Sequence, residues 1–256
     1  MAQFFDNFEG RALGNSDLPS YMTQVGGGTP VFEIEVDATS ENNRVVRYAW
    51  GSTGMLFLNA LPATVGDSEI VVRARYSTGS SNFLLRPRHI EDDKTNEGGR
   101  LYEFRSTGTG SADIRQRNPS LSTLASGGSS PVTDTTVYHY VRAQYVSSTN
   151  TIRIKLWDGT VGDEPAEWYL EATGAINTAL TGRQALSGFN TNFARIDWLG
   201  LGTDDDPAPT GPVEVSAEPF ALRHNPRTNK VIPVLSSPTV TDIGAACVRP
   251  RVTKGF

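Results

Sequence analysis

The chain has 256 residues, one cysteine and a formal net charge of −5. That length suffices for a large core, while the single Cys247 excludes an intrachain disulfide and a thiolate metal cluster. A pI near 5.3 argues against a nucleic-acid binder, which carries a basic face.

The opening MAQFFDNFEG has neither a basic n-region nor a continuous apolar h-region, and no later stretch is apolar for the length of a membrane span. Neither Sec export nor membrane insertion is expected. Beyond it, short period-two runs broken by Gly, Ser, Thr, Asn and Asp predict an all-β chain. In VFEIEVD (31–37), Phe32, Ile34 and Val36 share one face, and Glu33, Glu35 and Asp37 the other. Strands follow at 44–50, 54–58 and 69–76, where Ile70, Val72, Ala74 and Tyr76 oppose Arg73 and Arg75. Further strands are expected at 82–88, 100–105 and 113–117, then a Ser/Gly/Thr-rich loop over 120–135. The last group comprises 136–145, 151–157 (TIRIKLW, with Ile152, Ile154 and Leu156 inward), 167–172, 184–189 and 194–201. Such a series predicts an antiparallel two-sheet jelly-roll sandwich over residues 1–205. TDDDPAPTGP (203–212) reads as linker, taken over 206–212, and 213–256 as an extended arm or small β-element. The arm has two apolar runs and scattered prolines, too little to bury a core alone, so it is expected to dock on partner subunits.

Three chemistries are weighed on these residues. The acids of 31–37 suggest glycosidic cleavage, but carboxyls four residues apart on a strand lie about 13 Å apart, against the 5–5.5 Å of retaining chemistry. A cross-strand ladder of acids with Arg73 and Arg75 explains them as well, at about 0.2–1 kcal/mol per pair. Sugar binding needs exposed aromatics and flanking donors, for which Trp50, Trp157, Trp168, Trp198, Tyr138 and Tyr140 are candidates. Trp157 with Arg153 and Tyr140 is the leading set: parity turns Trp157 outward, although a strand end beside Asp158 and Gly159 also lets the ring fold over the rim. A structural calcium ion is considered at Asp6, Asp197 and Asp204, although the D-x-D-x-D-G loop is absent. His89, His139 and His224 have no zinc-like spacing, and His139 is expected to be packed.

FFDNFEG near the start, YHYVRAQYVSSTNTIRIKLWDGTVGDEPAEWYLEA (138–172) and TGRQALSGFNTNFARIDWLGLGTD (181–204) resemble the concanavalin A-like, laminin-G-like jelly rolls. The resemblance spans about residues 4–204 and implies that the opening D-x-F strand pairs near a closing strand containing Asp197 and Trp198. Enzymes of that superfamily carry E-[hydrophobic]-D-[hydrophobic]-x-E, from which Glu33-Ile-Glu35-Val-Asp37 departs in its middle acid and its spacing. KVIPVLSSPTVTDIGAACVRPRVTKGF (230–256) is similar to segments of bacteriophage virion proteins, whose extended termini lash subunits together. This implies a non-catalytic virion structural protein, a capsid decoration or tail-fibre component. It would be assembled in the host cytoplasm, released by lysis, and partnered with other virion proteins and with copies of itself. Val240, Ile243, Val248 and Val252 would anchor it. The alternative is a module reading a host-surface glycan, and the outside reading is a glucanase-like hydrolase.

Overall fold

The computed structural model describes residues 2–25, 31–49, 55–76, 82–90, 101–107, 112–118, 120–128, 136–176, 178–189, 193–211, 222–225 and 230–233. The chain divides into two units, Met1–Val213 and Glu214–Phe256.

The described residues of the first unit form fifteen strands. They are β1 (Ala2–Asp6), β2 (Met22–Val25), β3 (Val31–Val36), β4 (Arg44–Ala49), β5 (Met55–Leu58), β6 (Ser68–Tyr76), β7 (Asn82–Ile90) and β8 (Leu101–Thr107). Then come β9 (Ala112–Arg117), β10 (Leu121–Gly127), β11 (His139–Val146), β12 (Thr151–Trp157), β13 (Leu170–Thr173), β14 (Gly182–Phe189) and β15 (Phe193–Thr203). One sheet runs β13-β12-β11-β6-β15-β4-β3 with β1 also on β15, and the other runs β10-β9-β8-β7-β14-β5-β2. Every pairing is antiparallel, and no α-helix occurs among the described residues. This is the expected jelly-roll sandwich.

Alternation explains the core. Ile70, Val72 and Ala74 of β6, Val141, Ala143 and Tyr145 of β11, and Ile152, Ile154 and Leu156 of β12 form the inner face of the first sheet. They share one buried cluster with Leu56, Leu58, Leu85, Tyr102, Phe104, Ile114 and Leu186 of the second. The opening strand lies where the resemblance put it: β1 pairs with β15, Asp6 opposite Leu199.

Several expectations are corrected. Leu121–Gly127 is a strand, not part of a loop, because its backbone ladders onto β9 although its side chains are mostly exposed. β2 went unread, and of 167–172 only the part from Leu170 belongs to a strand. Val36 is exposed, not inward, since β3 runs past the core there and turns at Asp37. Residues Asp206 to Pro209, read as linker, lie on the outer face of β15. The Ala208 amide donates to Glu69 Oε1 (3.0 Å) and Gln3 Nε2 donates to the Pro207 carbonyl (2.7 Å).

In the second unit β16 (Leu222–Asn225) and β17 (Lys230–Pro233) form an antiparallel hairpin. Val240, Ile243, Val248 and Val252 lie outside the described residues.

Candidate functional site

On the outer face of the first sheet, register arranges polar and charged side chains in cross-strand rows. Glu171, Arg153, Gln144 and Glu69 stand opposite one another on β13, β12, β11 and β6. Two residues along, Lys155, Arg142 and Val71 form the next row, and beyond it Trp157, Tyr140 and Arg73. Trp198 of β15 closes that third row, opposite Arg73.

Trp198 reaches the row through a bulge. The β15–β6 register passes from Ile196↔Ala74 to Trp198↔Arg73, leaving Asp197 as the extra residue. One inserted residue turns two successive side chains to the same face, so Asp197 and Trp198 both point outward while Ile196 stays in the core. The bulge sits where the neighbour of β15 changes from β4, paired up to Ile196, to β1, paired from Leu199.

The third row is a second, smaller core. Tyr140 stacks on Trp157 at 5.0 Å with rings 9° apart, Trp198 lies 5.7 Å from Tyr140, and Phe5 lies 5.5 Å from Trp198. The Glu41 carboxylate caps its polar rim, accepting from Tyr140 Oη (2.6 Å) and Trp198 Nε1 (3.1 Å) and pairing with Arg73 Nε (3.3 Å). Asp197 accepts from Arg73 and from the Glu41 amide, but its Oδ1 has no partner among the described residues. Burial pushes its carboxyl above the ordinary range, and the Glu41 amide and Arg73 only partly offset that.

Sugar stacking on Trp157 and Tyr140 is therefore closed off. Trp157 is 5% exposed and donates from Nε1 to the Thr160 carbonyl (3.0 Å), and Tyr140 is fully buried. Parity did turn Trp157 outward, but the chain after the strand folds back over it. Arg153 alone of that set stays accessible, and it meets a different tryptophan. Trp168 is partly buried, with the Arg153 guanidinium carbon 4.4 Å and Lys155 Nζ 4.9 Å from its ring centroid. Arg153 and Lys155 are two residues apart on β12 and so rise from the same face, where both meet the indole. Tyr169, like Leu170 after it, packs against the main core. Arg153 Nε donates to Gln144 Oε1 (2.6 Å), and Lys155 pairs with Glu164 (3.1 Å). The result is a shelf at the β12–β13 edge: one aromatic face beside a guanidinium, an amide and, opposite Arg153, the exposed Glu171. The sequence offered Trp168 among its aromatics. Gln144 and Glu171 carried no signal until pairing set them beside Arg153.

The acids of 31–37 form an ion-pair ladder. Arg47 contacts Glu33 (3.7 Å) and Glu35 (3.6 Å), Arg195 contacts Glu35 (3.1 Å), and Arg75 contacts Asp37 (2.7 Å). Of the two arginines expected from sequence, Arg75 joins the ladder and Arg73 pairs with Glu41 and Asp197 instead; β4 is the strand paired with β3, and β15 and then β6 follow beyond it. Asp6, Asp197 and Asp204 do not fit a calcium ion. Asp6 stands opposite Leu199, five residue steps or about 16 Å along β15 from Asp204, which follows the ladder's other end. Asp6 accepts from Tyr21 Oη (2.6 Å) and the Phe8 amide (2.7 Å), and Asp204 from Thr64 Oγ1 (2.7 Å). No cluster of three His, Cys, Asp or Glu able to hold a metal ion occurs among the described residues. His139 is buried against Asp158 (2.5 Å), packed as expected.

No family model matches the sequence, and no curated protein does. Solved structures match the fold. The GH16 protein of a Bacteroides ovatus mixed-linkage glucan PUL, in complex with a product, aligns at a TM-score of 0.52 and 10% identity, over 78% of this chain and 99% of its own. A Bacillus licheniformis β-glucanase aligns at 0.51 and 10% identity, over 80% and 99%. The carbohydrate-binding module CBM66 from Bacillus subtilis aligns at 0.46 and 11% identity, over 69% and 91%. The fold is a concanavalin A-like jelly roll.

Proposed function

We propose that the chain binds carbohydrate, without cleaving it, on the Trp168 shelf. The observation that carries this reading is the partly buried indole in contact with Arg153 and Lys155, with Gln144 and Glu171 in the row of Arg153. Sugar recognition combines stacking of a CH face on an aromatic ring with a few polar groups that fix the hydroxyls, and the shelf supplies both. Two matching structures with TM-scores above 0.5 are a β-glucanase and a GH16 protein with product bound. At their identity the likeness is one of fold, so the residues of the shelf bear the weight. Hydrolysis finds less support: Glu33, Glu35 and Asp37 are tied to arginines, and Asp197 is fully enclosed. A virion location rests on the reading of the sequence alone.

The test is affinity electrophoresis of the full chain through gels containing soluble polysaccharides, with reducing-sugar release measured on the same polymers. Wild type should be retarded by at least one polymer without releasing sugar. Trp168→Ala should lose about tenfold or more in affinity, roughly one stacked ring's worth, and keep its circular dichroism spectrum. Equal retardation of the two proteins would overturn the assignment of the shelf.

A further inference from the structure

Resting on that reading, we infer that the shelf selects uncharged glycans over uronate-bearing or sulfated ones. Arg153 uses only Nε, on Gln144 Oε1, which leaves its two Nη groups and Gln144 Nε2 without hydrogen-bond partners among the described residues. Glu171, the residue opposite Arg153, is exposed and accepts no hydrogen bond from any described residue. The unspent set is thus three donor groups beside one acceptor carboxylate.

A sugar hydroxyl donates one bond and accepts others, so it can bridge such a mixed set. A sulfate or uronate only accepts, and it would have to sit beside Glu171. Charge adds to the discrimination. Lys155 is matched by Glu164 and Arg153 stands opposite Glu171, so the cations of the shelf are balanced one for one. Arg142, the next cation inward, is buried and committed to Glu69 and Glu164. Surfaces that capture polyanions rely on uncompensated positive charge, and here the whole chain is at −5. Stacking on Trp168 further calls for a pyranose presenting a flat CH face.

Full-length protein is titrated against neutral polymers (mixed-linkage β-glucan, xylan, galactomannan) and polyanions (polygalacturonate, heparin) at low and high salt. Retardation by a neutral polymer, little changed by salt and at least about tenfold stronger than by either polyanion, is the expected result. Glu171→Lys should weaken the neutral ligand several-fold and bring polygalacturonate into the binding range. If wild type binds the polyanions better, salt abolishes that binding and Trp168→Ala removes it, the selectivity inference falls while carbohydrate binding at the shelf stands. Binding to neither group overturns both.

Discussion

Asp37 shows how far a residue's role departs from its place in a pattern. In VFEIEVD it is the third of three alternating acids, yet it is 9% exposed and organises the turn after β3. Its carboxylate accepts from the Thr39 amide (3.0 Å) and hydroxyl (2.6 Å), from Tyr138 Oη (2.8 Å) and from Arg75 (2.7 Å). Burial alone would push this carboxyl up, but Thr39, Tyr138 and Arg75 together outweigh it and hold it below its ordinary value. A depressed acid contributes stability above its unfolded pKa, about 3.9, and loses it as pH falls through the folded value. Asp37→Asn should therefore cost about 1–3 kcal/mol at neutral pH, the range for a hydrogen-bonded charge losing its partners. It should also flatten the loss of stability below pH about 4. Urea unfolding from pH 3 to 7 checks both, and parallel wild-type and variant curves would refute the role. Asp197 works the other way: its carboxyl is raised, so the stability it adds is present in acid and lost as pH rises through the folded value. Nothing in ARIDWLGL marked Asp197 and Trp198 as sharing a face, because strict alternation puts them on opposite ones; only the bulge reverses that.

At the scale of elements, the sequence exposed those strands whose alternation reaches the main core. β6 and β12 were legible because Ile70/Val72/Ala74 and Ile152/Ile154/Leu156 repeat cleanly. β10 was not, since an edge strand with an exposed face needs no apolar row and its Ser and Thr mimic loop composition. The shelf was half legible: Arg153 followed from parity, but its tryptophan precedes a strand that pairs with β12 only in the fold. Residues 206–209 show the converse error, in which Pro-rich composition suggested a linker and the fold makes a strap. Gly200 and Gly202 explain why it lies so close. A Cβ at Gly200 would stand 2.0 Å from the Pro209 carbonyl oxygen, and one at Gly202 would stand 2.2 Å from that of Asp206. Both obstacles are backbone, which cannot rotate aside, so glycine is required for the close approach. Gly200→Ala should lift the strap at a cost of about 1–3 kcal/mol, the range for overpacking. Hydrogen exchange should show the Ala208 amide, now held by Glu69, losing protection while β12 keeps its own. Unchanged protection at Ala208 would show that the strap is not held by this contact.

At the scale of the whole chain, both cores and the shelf belong to the unit ending at Val213. Because every residue of the shelf precedes Val213 in the chain, the two proposed functions are independently testable. A chain truncated after Val213 should unfold in one cooperative transition and keep its Trp168-dependent glycan affinity within about twofold, because no residue of the shelf is removed. The anchoring role expected of Val240, Ile243, Val248 and Val252 predicts a second outcome. Light scattering should find the full chain self-associated and the truncated one monomeric, since a donated strand carries its hydrogen bonds with it. Loss of glycan binding on truncation would mean that the shelf depends on the C-terminal unit. Equal mass per particle for the two chains would remove the anchoring role and leave carbohydrate binding as the only function assigned to this fold.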